Sequence, residues 1–136
     1  MAKALGIDYG TKRTGLAITD ELQIIASCLT TVSTHQLHRY IANLIKQQDI
    51  ECFVVGDPKN LDGSKTNSSS YVESFIRKLK DTYPEIVIHR IDERFTSKIA
   101  KQSIFSSGVN RKRRQDKKLV DKISATIILQ SYLANK

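Results

Sequence analysis

The sequence predicts an α/β fold, a mixed five-stranded sheet with helices on both faces. Three observations lead there. Short apolar, β-branched runs at 4–9, 14–19, 24–32, 52–56 and 86–91 read as strands bounded by turn formers. Segments of helical spacing separate the later strands, which calls for right-handed crossovers and a parallel core of the first, fourth and fifth strands. The first three runs succeed one another too closely for crossovers, so they form an antiparallel meander.

Each element has its own local reason. The first two strands are joined by the turn G-T-K-R-T, and the third is I-I-A-S-C-L-T-T-V. Leu37, Tyr40, Ile41, Leu44 and Ile45 then repeat at helical spacing, and Ser33 with Gln36 has the pattern of a capping box. The buried strand C-F-V-V-G runs into D-P-K-N-L-D-G-S-K-T-N, a loop rich in turn formers. A second amphipathic helix spans 69–81, with Tyr71, Val72, Phe75, Ile76 and Leu79 on one face. After the strand I-V-I-H-R-I, a short helix starts near Thr96 and stops at Gly108, a C-cap glycine. The last helix runs over 117–134. With no repeats and no low-complexity stretch, residues 1–136 read as a single domain.

Composition limits the function classes. At 136 residues, 26% charged and 40% apolar, the chain has globular composition and can bury a real core. Met1–Leu5 is too short an apolar stretch for a secretory signal, and Asp8 interrupts the apolar run beyond it. No uncharged apolar run approaches the ~18 residues of a membrane span. Cys28 and Cys52 sit in apolar strand-like runs without C-x-x-C spacing, so both are expected to be buried thiols in a reducing compartment, by default the cytoplasm. His35, His38 and His89 show no ligand spacing.

Charge is uneven. The segment R-K-R-R-Q-D-K-K, residues 111–118, holds six basic residues and one acid, and so contributes +5 of the net +8. A solvated loop is the plain explanation. The functional one is contact with a polyanion backbone through Arg111, Lys112, Arg113 and Arg114, because basic clusters bind by releasing condensed counterions. No aromatic residue interleaves the cluster, so backbone contact is expected rather than base stacking.

Three carboxylates are out of place. Asp8 ends the first strand, Glu93 closes the fifth in I-D-E-R-F-T, and Asp121 opens the last helix. On that helix Asp121 shares a face with Ala125, Ile128, Leu129 and Tyr132, where an unpaired carboxylate is costly. Parallel strands share one C-terminal edge and crossover helices begin there, so the three acids can meet. Clustered carboxylates repel unless a cation is shared, and oxygen donors without His or Cys favour Mg²⁺ or Mn²⁺. Beside a polyanion-binding loop, that arrangement suits two-metal phosphodiester hydrolysis. Each acid also has a plain reading: Asp121 on the helix dipole, Glu93 paired with Arg94 or Arg90, Asp8 in an Asx turn. The small residues Ala4, Gly6 and Gly10 around Asp8 read as clearance for metal and substrate backbone.

Four segments together, G-I-D-Y-G-T-K-R-T-G-L-A, V-V-G-D-P-K-N-L-D-G-S, D-E-R-F-T-S and D-K-I-S-A-T-I-I-L-Q-S-Y-L, resemble the YqgF (RuvX-like) family of bacteria over essentially the whole chain. The resemblance implies an RNase H-like fold and a nuclease acting on precursor 16S ribosomal RNA, with Holliday junction resolvase as an older assignment. It sets the family's acidic positions on Asp8, Glu93 and Asp121. The family's middle motif usually reads G-L-P-x-N, whereas here it is G-D-P-K-N. Related resolvases carry an acid near this strand end, so Asp57 reads either as a supplementary ligand or as a turn residue before Pro58, the turn being preferred. Asn60, Gly63 and Ser64 suit a loop that approaches phosphate oxygens, and Lys12, Arg13 and Arg94 are candidate phosphate contacts. Of Asp92 and Glu93, only one can face the site, because adjacent strand residues point to opposite faces.

Two other classes compete. D-x-G-T also resembles the first phosphate loop of actin-like ATPases, which need two such domains around a cleft and a second phosphate loop. A non-catalytic nucleic-acid binder, such as a transcription factor, gains nothing from clustered acids beside a phosphate backbone. A resolvase needs a stable dimer to cut two strands symmetrically. No heptad or exposed apolar helix announces one, so a monomer or weak homodimer that binds RNA, with branched DNA as the alternative, is expected.

Overall fold

A computed structural model describes residues 2–57, 69–92 and 117–135 of the chain. Five strands form one sheet: β1 Lys3–Asp8, β2 Arg13–Thr19, β3 Ala26–Ser33, β4 Ile50–Asp57 and β5 Val87–Asp92. Their order is β3-β2-β1-β4-β5. β1 pairs antiparallel with β2 and β2 with β3, while β1–β4 and β4–β5 are parallel. The expected meander and parallel core are both present. Among the described residues three α-helices accompany them: α1 Leu37–Gln47, α2 Ser69–Thr82 and α3 Lys117–Ala134. The short helix expected near Thr96 to Gly108 lies outside the described residues. Among the described residues no helix is long and apolar enough to cross a membrane.

The two faces of the sheet are built from different residues. Leu5, Ile7, Leu16, Phe53 and Val55 pack beneath α1 and α2, against Leu37, Ile41, Leu44, Val72, Phe75 and Leu79. Each such fully buried large side chain contributes about 1.5–3 kcal/mol of transfer free energy. On the other face Ala4, Ala17, Cys52 and Val54 meet Ala125, Ile128 and Leu129 of α3. Helices therefore cover both faces, as the sequence predicts.

Several local expectations need correction. Ser33 makes no side-chain capping bond, because a 3₁₀ turn, Thr34–Gln36, intervenes and moves the α-helical boundary to Gln36. Cys52 is buried but Cys28 is exposed, since it lies on the edge strand β3. Tyr71 does not join the buried stripe of α2. It stands about 100° round from Val72, at the rim of that stripe, and is exposed.

Gly6 is a further correction. A Cβ there would lie 3.0 Å from the Ala125 carbonyl oxygen and 3.0 Å from Leu129 Cβ. The clearance on β1 serves the close approach of α3 rather than metal or substrate. That approach is what brings the N-terminal part of α3 to the C-terminal end of β1.

Candidate active site

Asp8 is the last residue of β1 and half-buried. Strand alternation sets it on the face of Ala4 and Gly6, the face that α3 covers. Its partner in the antiparallel ladder is Gly15. A Cβ on Gly15 would overlap the Asp121 carbonyl and lie 3.1 Å from Asp121 Cβ. Asp121 thus sits on the strand position directly beside Asp8, and α3 runs antiparallel to β1 from there, with Leu129 over Gly6. The structure brings these two sequence-predicted acids together. Glu93 lies outside the described residues.

Asp121 is the fifth residue of α3, whose first turn holds no acid. The helix dipole, which acts within the first turn, does not explain it. Arg13 does so better: its Nε stands 3.3 Å from Asp121 Oδ2, with the two side chains 32% and 24% exposed. Two neighbouring carboxylates repel, and the guanidinium offsets part of that repulsion. A partly exposed pair of this kind is worth no more than about 1 kcal/mol. Arg13, expected at a phosphate, thus also faces an acid of the site.

The β1–β2 turn is held in one shape. Thr34 donates its hydroxyl to the Gly10 carbonyl at 2.5 Å and its backbone N–H to the Lys12 carbonyl at 3.0 Å. Its hydroxyl also lies 3.0 Å from that of Thr14. Gly10 has no room for a side chain, because a Cβ would overlap the Arg13 carbonyl. Above this turn a cleft of about 290 Å³ opens at the sheet edge, between the start of α2 and Asp121. Tyr9, Lys12, Arg13 and Tyr71 line it.

Asp57 and Asp92 belong elsewhere. They are register partners on β4 and β5 and alternate onto the α2 face, opposite Asp8. Arg90 on that face holds Asp57 at 3.2 Å and also pairs with Glu73 of α2. Its bond to Glu73, with Asp57 beside it, outweighs partial burial and raises the guanidinium pKa. Asp57 is therefore an ion-pair partner that ties β4 to β5 and, through Arg90, to α2. Ile91 keeps the α3 face. The substrate contacts expected at Asn60, Gly63, Ser64, Arg94, Arg111, Lys112, Arg113 and Arg114 lie outside the described residues.

Oxygen donors fit a hard divalent cation, and Asp8 with Asp121 supplies two side by side. Among the described residues no group of three His, Cys, Asp or Glu side chains is placed to hold a metal. Sequence reasoning missed the aromatic side of the cleft. Tyr9 comes directly after Asp8 and so faces α2, where its ring stacks on Phe75 at 4.6 Å. Alternation alone could have shown that.

A mixed sheet in this strand order, with helices on both faces and acids where the last helix meets the first strand, defines the class as RNase H-like. The solved structures agree. RuvC of Thermus thermophilus, in complex with Holliday junction substrate, aligns with a TM-score of 0.60 at 16% identity, over 99% of this chain and 96% of that one. A second Thermus thermophilus RuvC structure gives 0.50 at 12% identity, over 93% and 91%. The chain belongs to the family described as "RuvX: Holliday junction resolvase", whose model matches residues 2–135. Relatives named "Putative pre-16S rRNA nuclease" are 48% identical in Christiangramia forsetii, over 98% of both chains, and 47% identical in Flavobacterium psychrophilum, over 100% of this chain and 99% of that one. One from Bacteroides fragilis is 46% identical over 100% and 99%.

Proposed function

We propose that this chain is a divalent-metal-dependent nuclease that hydrolyses phosphodiester bonds in RNA, processing the 5′ end of precursor 16S ribosomal RNA in the cytoplasm. One observation carries the reading. Close packing of α3 on Gly15 puts Asp121 beside Asp8 at the edge of a cleft lined by Lys12 and Arg13. A plain binder of nucleic acid has no use for carboxylates there. The names of the relatives supply the substrate.

Asp8, Asp121 and Glu93 would hold Mg²⁺ or Mn²⁺. Glu93 is assigned as the third acid because its neighbour Asp92 lies on the wrong face. When bound, the metal activates a water and stabilises the leaving oxygen. The chain itself contributes position and charge. Asp8 is fixed by the ladder with Gly15, and Asp121 by its seat on the same residue. Lys12, on a turn pinned by Thr34, presents its ammonium to a phosphate. Arg13, paired with Asp121 at the wall of the cleft, would reach the same phosphate. The single domain is proposed to act as a monomer or weak dimer.

The test is cleavage of single-stranded RNA in Mg²⁺ or Mn²⁺ by the wild type and by Asp8→Asn. The variant should fold normally and cut nothing. Undiminished cleavage would remove Asp8 from the mechanism. The family description favours a second reading, junction resolution. A four-way DNA junction and a ribosomal precursor RNA, compared in one buffer, separate the two. The RNA should be cut and the junction poorly or not at all.

A further inference from the structure

Among the described residues, five large apolar side chains stand more than half exposed. Leu22, Ile24 and Ile25 are on the β2–β3 hairpin and Val87 starts β5. Only Tyr71, 56% exposed in the first turn of α2, lines the cleft. No ring contact involves it among the described residues. An aromatic face left bare inside a basic cleft calls for an explanation, because burying it against α1 or the sheet would have contributed stability.

The rest of the cleft wall narrows the choice of ligand. Tyr9 lines the cleft with a ring already immobilised: it stacks on Phe75, which is buried and has His38 on another side at 5.6 Å. A ring held in place loses little freedom when a ligand packs on it. Lys12 adds an ammonium with no ion-pair partner among the described residues, and Arg13 adds a guanidinium held near Asp121. Flat apolar surface and cations lining one cleft match one ligand chemistry, a planar base joined to a phosphate. At about 290 Å³ the space suits a single nucleotide and is too small for a stacked base pair.

We propose that this cleft is a single-nucleotide pocket, in which Tyr71 stacks an unpaired base while Lys12 and Arg13 hold its phosphate. The inference rests on the nuclease reading above and sharpens it. The pocket adjoins Asp121, so the base it takes belongs to a nucleotide next to the cut phosphate. A base enters only by leaving its stack, which costs least in a single strand or a bulge. The pocket therefore selects unpaired RNA over duplex, and it does so without reading base identity, since every base has a π-face.

Binding can be read without cleavage, in Ca²⁺, which accepts oxygen ligands but lacks the strict octahedral geometry of Mg²⁺. A short single-stranded RNA carrying 2-aminopurine should lose fluorescence on wild-type protein, as the base stacks on tyrosine. Tyr71→Ala should abolish that quenching and weaken single-strand binding by about tenfold, while duplex binding stays unchanged. Tyr71→Phe keeps the ring and should behave as wild type, which separates stacking from any general effect on the fold. If Tyr71→Ala retains wild-type affinity and quenching, the pocket is refuted and the nuclease reading is untouched. If it weakens single strand and duplex alike, Tyr71 is not a stacking platform and the pocket is again refuted. Wild-type protein that quenches the probe yet cuts no RNA in Mg²⁺ would support the pocket and defeat the nuclease reading.

Discussion

Replacing Gly15 by alanine adds one methyl group between β2 and α3. That methyl would overlap the Asp121 carbonyl and stand 3.1 Å from Asp121 Cβ. The first obstacle is backbone, so no rotamer change relieves it. Ordinary contact returns only if the first turns of α3 retreat by on the order of 1 Å. Overpacking of this kind costs about 1–3 kcal/mol, which for a domain of this size lowers the melting temperature by roughly 3–15 °C. The chemistry should suffer more than the fold, because a shift of about 1 Å at a catalytic group can cost 10²-fold. Gly6→Ala is the comparison. Its nearest neighbours are both at 3.0 Å and lie further along α3, under Ala125 and Leu129. It should cost similar stability but far less activity. Thermal melts and initial rates on single-stranded RNA in Mg²⁺ would be measured for both variants. Equal activity losses in proportion to stability would show general unfolding, and the argument from Asp121 placement would fail.

Two further predictions concern charge. Burial, reinforced by Lys78, lowers the pKa of His38 below its usual 6.5. The folded state then binds fewer protons than the unfolded one, so stability is full above pH 6.5 and falls as pH drops towards the folded value. His38→Gln should flatten the melting-temperature profile over that window, and an unchanged profile would clear His38 of the effect. Changing Arg111, Lys112, Arg113 and Arg114 to alanine should weaken RNA binding and flatten its salt dependence, by up to ~0.9 per lost phosphate contact on a duplex. A salt slope equal to wild type would show that the segment does not touch nucleic acid.

Much of the arrangement was legible because it depends on period and order. Strand runs, helical spacing and connection lengths fix a mixed sheet, and alternation puts Asp8 on a definite face. Asp121 was legible for a different reason: a carboxylate at i, i+4, i+7 and i+8 spacing from Ala125, Ile128 and Leu129 is out of character. What spacing cannot convey is the distance of closest approach. Gly6 looked like room for substrate and is room for α3, because a missing side chain does not say what fills its place. Tyr71 looked like core, since its neighbours Val72 and Phe75 are, and a helical stripe has no sharp border in sequence. Asp57 sits beside a turn-forming Pro, so turn chemistry was its natural reading. Only the parallel register of β4 and β5 reveals Arg90 beside it.

The two faces of the sheet divide the labour between stability and chemistry. Under α1 and α2 the contacts are between large side chains, Leu5, Ile7, Leu16 and Phe53 among them, and interdigitation holds the helices off the strands. Under α3 the residues of β1 and β2 are small, Ala4, Gly6, Gly15 and Ala17, and the helix backbone descends onto these two strands. A short carboxylate such as Asp reaches a neighbour on the sheet only across such a close contact. With large residues beneath it, α3 would ride higher and Asp121 would need a longer side chain to stand beside Asp8. The small-residue face is thus part of the site's geometry even where it touches no substrate. Asp121 pairs with Arg13 rather than resting on the helix dipole for the same reason. Placed a full turn inside α3, it is set by where the helix meets Gly15, not by where the helix begins.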